Sequence, residues 1–284
     1  MLHYTAMKIV LCGHVCIDVN TSEDATYTSW GSALMYMAHY FQDQLKIAPV
    51  LIAAHGRDFE QYAKGVTFLS TPENAHTLVY KNHTSNSRRL QQCEHVADSK
   101  PVSITAAVKD SVAQADIVSV APLLPNFSAA YVSELLSSKK SKSLAVLLPQ
   151  GYLRTVDHQG YVQPREFEEA SAIIALFDMV ILSEDDHPNC MQLARQWARQ
   201  APRAAIIVTQ GSRGASLISA DNVKPVVTEP VAENRIVDSV GCGDTFSAAL
   251  MYSYFQGGDI IAAIQAGNAA ARAKLFRVSP AAGL

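Results

Sequence analysis

The sequence lacks the cysteine pattern of a disulfide-rich or zinc-binding protein. Its 284 residues include five cysteines, an odd number, and they form no C-x-x-C pair. Disulfide frameworks and zinc sites depend on paired, closely spaced cysteines, so neither class is indicated. Scattered thiols are typical of a reducing compartment, and we therefore expect a cytoplasmic protein.

Long apolar runs and a strong excess of one charge are also absent. The apolar stretch at residues 9–17 is interrupted by His14 and is shorter than the roughly 20 residues of a transmembrane helix. The net charge is −3, from 23 Lys and Arg against 26 Asp and Glu. This balance gives no reason to expect binding to nucleic acid or a membrane, and a small-molecule ligand is favoured.

Two familiar nucleotide-binding loops are missing. The chain contains no G-x-x-x-x-G-K-[ST] motif, which excludes a P-loop. The glycine-rich stretch GCGDTF at 241–246 has Phe246 where a dinucleotide fingerprint requires its third glycine. A dehydrogenase is therefore the least favoured of the enzyme classes considered.

Short apolar runs alternate with segments of helical spacing along most of the chain. The runs lie at residues 8–12, 49–54, 116–121, 143–148, 178–183 and 204–209. Helical segments lie at 32–45, 128–140, 165–177 and 189–200, and two more open near Gly243 and Asp259, separated by Gly257 and Gly258. The alternation predicts an α/β fold with a mostly parallel central sheet flanked by helices. Without a low-complexity linker, residues 1–284 are expected to form a single domain.

Residues 71–97 interrupt this alternation. HTLVYKN and SRRLQQCEH are polar-alternating pieces separated by HTSN, a pattern typical of an exposed hairpin. We expect this hairpin to be an addition to the central sheet.

Polar residues follow several of the predicted strands. In an open α/β sheet, ligands bind beyond the carboxyl ends of the strands, so these segments are the candidates for a site. They are residues 13–18, 55–58, 150–154, 183–186 and 209–214.

The stretch DSVGCGDTFSAAL at 238–250 joins a glycine-rich loop to the start of a predicted helix. Glycines let backbone N–H groups turn toward one point, and the helix dipole favours an anion there. A phosphate group would fit this place. On the loop alone, a helix-capping role for Asp244 is the simpler interpretation, because such caps are common.

Taken with its neighbours, this stretch resembles the ribokinase-like, or PfkB, carbohydrate kinase family. DSVGCGDTF matches the family pattern D-T-x-G-A-G-D-x-F except at Ser239 and Cys242. Other landmarks follow in the family order between Ile9 and Leu275, namely GHVCID, WGSALMYMA, AAHGRDF, VTQGSRGA and AGNAAARAKL. The resemblance implies a three-layer ribokinase-like α/β fold with a small β lid at residues 18–31 and 71–97, resting mainly on the second segment.

The resemblance also implies ATP-dependent, Mg²⁺-requiring phosphoryl transfer to a hydroxyl of a small sugar, inositol-like polyol or nucleoside. Asp244 stands at the position of the catalytic base, and the N–H groups of Gly241, Cys242 and Gly243 would form an anion hole. Phosphoryl transfer requires positioning of the reactants, stabilisation of charge and a carboxylate that accepts the hydroxyl proton. An aspartate beside backbone N–H groups meets these requirements. Asp238 would hold the loop or belong to a nearby cation shell.

The ATP side is predicted at Thr209, Gly211 and Gly214 of the T-x-G-x-x-G turn and at Asn268 on the last helix. The turn alone is a weak motif that also fits a plain hairpin, and its place before the GCGD loop is what supports the nucleotide role. Asn268 alone would fit a polar surface position equally well. Arg213 is a candidate phosphate contact.

The metal side is predicted at Asp186, which stands where the family's N-x-x-E motif has its glutamate, with Ser183 in place of the asparagine. Magnesium prefers oxygen ligands and keeps several waters, so Asp186 would hold it through water. An acidic N-cap of the following helix is the alternative for this residue.

The substrate side is predicted at Asp18, Gly31 and Arg154. Asp18 would accept substrate hydroxyl groups, and QGYLR at 150–154 resembles the family's inositol and related sugar kinases. The family's double glycine is Trp30-Gly31 here, so Trp30 is expected to narrow the pocket or offer a stacking face. Tyr36 replaces the family's asparagine, which implies that sugar recognition differs from that of ribokinase.

The lid, the partners and the alternative function stay open at this point. Arg88 and Arg89 in the hairpin are candidate lid contacts, with solvated surface as the alternative. A reduced lid is compatible with a monomer or a homodimer. The altered family positions also allow a catalytically silent sugar- or nucleotide-binding protein, although the retained Asp244 argues for an enzyme.

Overall fold

A computed structural model of the chain describes residues 7–21, 26–72, 76–85 and 88–278. Its strands are β1 (Ile9–His14), β2 (Cys16–Thr21), β3 (Thr26–Gly31), β4 (Val50–Ala54), β5 (Thr67–Phe68), β6 (Leu78–Ser85), β7 (Arg88–Glu94), β8 (Ile117–Ala121), β9 (Leu144–Leu147), β10 (Arg154–Val156), β11 (Val162–Pro164), β12 (Met179–Ser183), β13 (Ala205–Thr209), β14 (Ala215–Ile218) and β15 (Val223–Val226). Its helices are α1 (Ala33–Leu45), α2 (Ala106–Gln114), α3 (Ala129–Leu136), α4 (Ala170–Ile174), α5 (Cys190–Gln200), α6 (Cys242–Gly257) and α7 (Ile260–Lys274).

The central sheet has nine strands in the order β15-β14-β13-β12-β9-β8-β1-β4-β5. All six predicted apolar runs form strands of this sheet. Neighbours pair in parallel from β13 to β5, and the antiparallel pairs of this sheet are β13–β14 and β14–β15. The predicted fold class, a mostly parallel sheet flanked by helices, is therefore confirmed.

Both faces of the sheet are buried, which explains why its strands are continuously apolar. Alternate residues of β1 belong to different hydrophobic clusters: Val10 and Cys12 pack on one face, and Ile9 and Leu11 on the other. The first face is covered by α2, α3, α4 and α5, and the second by α1, α6 and α7. Helix, sheet and helix form the three layers that the resemblance implies.

The predicted helix at residues 165–177 is much shorter in the structure. Only Ala170–Ile174 is helical, because the chain before it still continues the β10–β11 hairpin: the Arg165 N–H donates to the Leu153 carbonyl at 2.9 Å. Phe167 then stacks on Tyr152 with ring centroids 4.2 Å apart. Its apolar character reflects this ring contact rather than a helix face. The β10–β11 hairpin and α2 were not predicted from the sequence.

A second sheet of four strands has the order β3-β2-β6-β7. The hairpin predicted at residues 71–97 supplies β6 and β7, and residues 16–31 supply β2 and β3. The two segments thus contribute two strands each, a larger share for residues 16–31 than the sequence indicated. Residues 22–25, 73–75 and 86–87 of these segments lie outside the described residues.

The carboxyl ends of the central strands and the start of α6 meet at one edge of the sheet. Residues that follow β8, β9, β12 and β13 line common pockets there with the first turn of α6. Within the described part of the chain, no helix is both long and apolar enough to cross a bilayer.

Candidate active site

The loop before α6 depends on a glycine at position 241. Gly241 is left-handed, with φ 77° and ψ 5°, a conformation that costs other residues free energy. A Cβ atom placed there would lie 2.2 Å from the Tyr36 ring. The sequence therefore needs glycine here both for the turn and for the close approach of α1.

The first turn of α6 presents backbone donors to solvent. Within the described residues, the N–H groups of Gly241, Gly243 and Asp244 have no hydrogen-bond acceptor. The Cys242 N–H instead donates to the Ser239 carbonyl at 3.3 Å, which closes the turn. Two of the three predicted donors are thus available, and Asp244 adds one that sequence reasoning did not consider.

The Asp244 carboxylate is partly buried and makes no hydrogen bond to the described residues. It does not cap α6: the N-cap residue is Gly241, and among the described residues no side chain accepts a hydrogen bond from the first turn of this helix. The simpler interpretation of Asp244 as a cap therefore has no support in the structure. A carboxylate held in a pocket without a donor is suited to accept a proton from a ligand.

The surroundings of Asp244 raise the pKa of its carboxyl group to about 7. Burial is the largest cause, because it disfavours the charged form, and the nearby negative charges of Asp186 and Asp18 add to it. A carboxyl group with a pKa near neutrality can take up a proton at the pH of the cell and release it again.

Three pockets meet at this turn of α6. A pocket of ≈ 320 Å³ is lined by Gly241 and Asp244, and a pocket of ≈ 440 Å³ is lined by Gly243. A smaller space of ≈ 100 Å³ is lined by both Gly243 and Asp244. After the roles that the sequence predicts for their residues, we call the first the acceptor pocket, for the hydroxyl substrate, and the second the donor pocket, for the phosphate donor. The first turn of α6 borders both pockets.

The acceptor pocket contains the predicted residues Asp18 and Arg154. Asp18 lies on β2, and its carboxylate occupies the space that a side chain at Gly31 would fill: a Cβ there would be 2.3 Å from Oδ2. The Arg154 guanidinium makes no ion pair or hydrogen bond to the described residues, so it is available to a ligand. Gln150 and Tyr80 complete a mostly polar wall.

Trp30 does not offer a stacking face to this pocket, contrary to the sequence-based expectation. It is 2% exposed and stacks on His39, with ring centroids 4.7 Å apart and planes at 8°. Its other neighbour is Tyr36, at 4.8 Å, and Tyr36 itself lines the acceptor pocket. Trp30 thus supports Tyr36 from the core. The side chains of Arg88 and Arg89 lie outside the described part of the structure.

The donor pocket brings together the predicted residues Thr209, Gly211, Gly214 and Asn268. Gly214 has a φ of 90°, and a Cβ there would lie 2.4 Å from the Val226 carbonyl oxygen. Asn268 is 7% exposed and donates from Nδ2 to that same oxygen at 2.9 Å. Asn268 is therefore not a surface residue, and it anchors β15 beside the turn that follows β13.

Two arginines lie near the donor pocket, and of these Arg272 lines it. Arg213, a candidate phosphate contact from the sequence, is paired with Glu184. Arg272 of α7 was not predicted, because a lone arginine in a helix carries no motif. Its buried Nε has no hydrogen-bond partner among the described residues, and its Nη2 lies 3.3 Å from Glu229. A phosphate or a nucleoside oxygen could satisfy Nε.

Asp186 does not cap the helix that follows, because the N-cap of α5 is Asn189; it closes the short turn at 184–186 instead. It accepts a hydrogen bond from the Ser183 N–H at 2.8 Å, which forms a capping box, and another from Gln150 at 2.9 Å. Each carboxylate oxygen keeps a second lone pair, so a water-mediated magnesium contact remains compatible with this geometry. Within the described residues there is no cluster of three or more His, Cys, Asp or Glu that could hold a metal.

Cys242, where the family pattern has alanine, is a neutral thiol. Burial raises its pKa to about 11, with Lys274 opposing that shift and Asp238 and Asp244 adding to it. Its Sγ contacts the Ala271 carbonyl at 3.6 Å. The side chain therefore packs toward α7 and brings no negative charge to the loop.

The whole architecture has close counterparts among solved structures. A pyrophosphate-dependent kinase of the ribokinase family, complexed with a pyrophosphate analog and myo-inositol, aligns with a TM-score of 0.76 at 17% identity, over 96% of this chain and 97% of that one. Ribokinase from Giardia lamblia also aligns with a TM-score of 0.76 at 17% identity, over 98% of this chain and 95% of that one. At these identities the likeness concerns the fold.

Sequence comparison adds a relative and a family. The bifunctional protein HldE of Bradyrhizobium diazoefficiens is 24% identical over 250 residues, which cover 86% of this chain and 46% of that protein. The chain thus spans about half the length of that relative. The model of the pfkB family carbohydrate kinases matches residues 53–284, a range that includes Asp244 and the donor pocket but not Asp18, Gly31 or Tyr36. The chain belongs to the pfkB family of carbohydrate kinases.

Proposed function

We propose that this protein transfers a phosphoryl group from ATP to a hydroxyl group of a small sugar, polyol or nucleoside. The observation that carries the proposal is the Asp244 carboxylate, which lines the acceptor pocket and the smaller space beside it. Neither this carboxylate nor the N–H groups of Gly241 and Gly243 beside it have a hydrogen-bond partner among the described residues. This is the arrangement that an in-line transfer requires: a proton acceptor on one side and anion-stabilising donors at the point of transfer.

The chain's own residues divide the work between the two pockets. Asp244 accepts the proton of the acceptor hydroxyl, and the backbone donors at 241, 243 and 244 stabilise the charge on the phosphoryl oxygens. Asp18 and Arg154 orient the acceptor by hydrogen bonds. Asp186, with Gln150, would hold Mg²⁺ through water, and bound Mg²⁺ supplies neutralisation of phosphate charge.

A nucleotide donor is supported by the size and lining of the donor pocket. This pocket has a volume of ≈ 440 Å³, and its lining runs from Gly243 in the first turn of α6 past Asn268 to Ile236 and Pro230. A pyrophosphate ion would occupy only the end near Gly243, whereas apolar residues such as Ile236 and Leu275 suit a nucleoside. Pyrophosphate, the donor of one structural relative, is therefore the competing donor to be tested.

The donor prediction can be checked by measuring kcat/KM with ATP and with pyrophosphate under the same conditions. We expect ATP to be preferred by about 100-fold or more, since nucleoside binding adds stabilisation that pyrophosphate cannot gain. Asn268→Leu removes the hydrogen bond to the Val226 carbonyl and should lower kcat/KM for ATP about tenfold while leaving any pyrophosphate reaction unchanged. Preference for pyrophosphate would contradict this assignment.

The pKa of Asp244 predicts the pH dependence of the reaction. The base form is the carboxylate, so kcat/KM should be constant above pH 7 and fall about tenfold per pH unit below it. A pH profile between 5 and 9, recorded at a fixed acceptor concentration below KM, tests this. A profile that is flat down to pH 5 would show that no group with this pKa takes part.

The proposal is tested by measuring ADP release with a panel of sugars, inositols and nucleosides, together with their phosphorylated forms. Turnover of at least one acceptor is expected. If ligands bind, as judged by thermal shift, but none is phosphorylated, the protein is a silent binding member of the family.

The location and the oligomeric state are separate proposals. Five free cysteines support the cytoplasm as the location of the protein. Tyr27 and Leu90, 46% and 52% exposed on the four-stranded sheet, would be covered in a homodimer and open in a monomer.

A further inference from the structure

A largely buried ion pair lies directly behind the loop at 238–241. Lys274, the last residue of α7, has a side chain that is 10% exposed, and its Nζ is 3.3 Å from Oδ2 of Asp238, whose side chain is 19% exposed. Nζ is also 3.5 Å from the backbone carbonyl oxygens of Asp238 and Arg277. The ammonium group is thus surrounded by a carboxylate and two carbonyls. Such an oxygen shell is what a monovalent cation takes in place of its water.

Asp238 connects this ammonium group to the loop. Its Oδ1 accepts a hydrogen bond from the Val240 N–H at 2.8 Å, and its own N–H donates to the Leu275 carbonyl at 3.4 Å. Val237 donates to the same carbonyl at 2.8 Å. Residues 237–240 are therefore held against the end of α7, and the loop leads from there into Gly241 and α6.

Charge gives the lysine a second effect. The carbonyls at the end of a helix carry partial negative charge, so a cation at the end of α7 is favoured there. The lysine also offsets the negative charge of the Asp238 carboxylate, which lies one short loop away from the proposed place of the phosphoryl group. Lys274 is close enough to act on this loop, since its charge opposes the rise in the pKa of Cys242.

We infer that Lys274 is a built-in cation that positions the anion-binding loop, so that the kinase needs no monovalent cation. Lys274 touches neither pocket of the proposed reaction directly and acts through Asp238 and the loop. The inference rests on the proposed function only for its kinetic readout, because loop order can be measured without turnover.

The first test uses the wild-type protein. Its kcat, measured in choline chloride and in potassium chloride of equal ionic strength, is expected to agree within about twofold, because the cation of the loop is part of the chain. Activation of several-fold or more by K⁺ over choline would overturn the inference, because it would show a separate cation site.

The second test uses Lys274→Met, which keeps most of the length of the unbranched side chain but removes its charge. In choline we expect kcat to fall about tenfold or more through displacement of the loop, while KM for the acceptor changes little. Added K⁺ or NH₄⁺ should restore part of the loss, and Lys274→Arg should retain most of the activity. Unchanged kcat in Lys274→Met, or a loss that no cation restores, would contradict the inference.

The control is Lys139→Met, which removes another largely buried lysine, paired with Asp178 at 3.6 Å and far from the loop in sequence and fold. It should leave kcat and its cation response unchanged. Hydrogen exchange of the Val240 amide supplies the readout without turnover: faster exchange in Lys274→Met, reversed by K⁺, is expected. Equal exchange with and without the lysine would overturn the inference, even if the chain proved to be no kinase.

Discussion

Asp244→Asn is expected to lose about 1,000-fold or more in kcat while the protein becomes more stable at pH 8. The loss follows because an amide cannot accept the proton of the acceptor hydroxyl. Nothing else in the first turn of α6 can replace it: within the described residues, the remaining groups there are N–H donors, a neutral thiol and Thr245. Steady-state ADP release at saturating ATP measures the effect.

The gain in stability follows from the sign of the pKa shift. A folded-state pKa of about 7, against an ordinary 3.8, favours folding below pH 4, and this contribution is lost as the pH rises through 7. At pH 8 the charged carboxylate therefore destabilises the folded protein, and the amide of the variant Asp244→Asn would carry no such charge. Because Asp244 is only partly buried, we expect about 1 to 2 kcal/mol in the free energy of unfolding. The difference should shrink as the pH falls toward 4.

Asp110→Asn is the matched control for this prediction. Asp110 is exposed on α2, away from the site, so neither kcat nor the pH dependence of stability should change. An Asp244→Asn protein that kept more than about a tenth of the activity would contradict the role of Asp244 as base. Equal stability of Asp244→Asn and wild type at pH 8 would contradict its raised pKa.

Gly241→Ala is expected to have the second largest effect, with a loss of about 100-fold in kcat/KM. The added methyl group would stand 2.2 Å from the Tyr36 ring, and the left-handed backbone at φ 77° disfavours alanine independently. The loop must shift to remove the clash, and the N–H groups of residues 241 and 243 shift with it. We also expect a loss of about 2 to 4 kcal/mol in stability, measured by urea denaturation.

A double-mutant cycle separates the clash from the backbone strain. Tyr36→Ala removes the ring that the new methyl group meets, so Gly241→Ala should cost less stability in that background than in the wild type. The control is Gly257→Ala near the end of α6, where an added Cβ meets no atom within 4 Å. Strict additivity of the two changes would show that Tyr36 does not contact the loop.

The central sheet was predictable because its strands are buried on both faces. Continuous apolar runs such as those of β8 and β12 are shorter than a typical helix, which favours strands, and their alternation with helices predicts parallel pairing. The order of the strands within the sheet was not predicted. The segment at 165–177 shows the limit of this reasoning. Phe167, Ile174 and Phe177 have helical spacing, yet contacts with Tyr152 and the β10–β11 hairpin decide the local structure.

The residues of the candidate site could be predicted where they belong to a local motif, but not where their position depends on packing against distant parts of the chain. Glycine-rich turns at 211–214 and 241–243 are local features, and the structure places both at the edge where the strands end. That Trp30 lies in the core, and that Asn268 anchors β15, depends on neighbours far away in sequence. The pairing of Lys274 with Asp238 spans 36 residues and leaves no local pattern.

The most direct test of the account is a crystal structure with ADP, Mg²⁺ and aluminium fluoride, a mimic of the phosphoryl group in transfer. The account predicts the fluoride group at the N–H groups of Gly241, Gly243 and Asp244, with the Asp244 carboxylate facing it from the acceptor pocket. ADP should fill the donor pocket beside Gly214. A fluoride group bound elsewhere, or an Asp244 carboxylate turned away from it, would contradict the account.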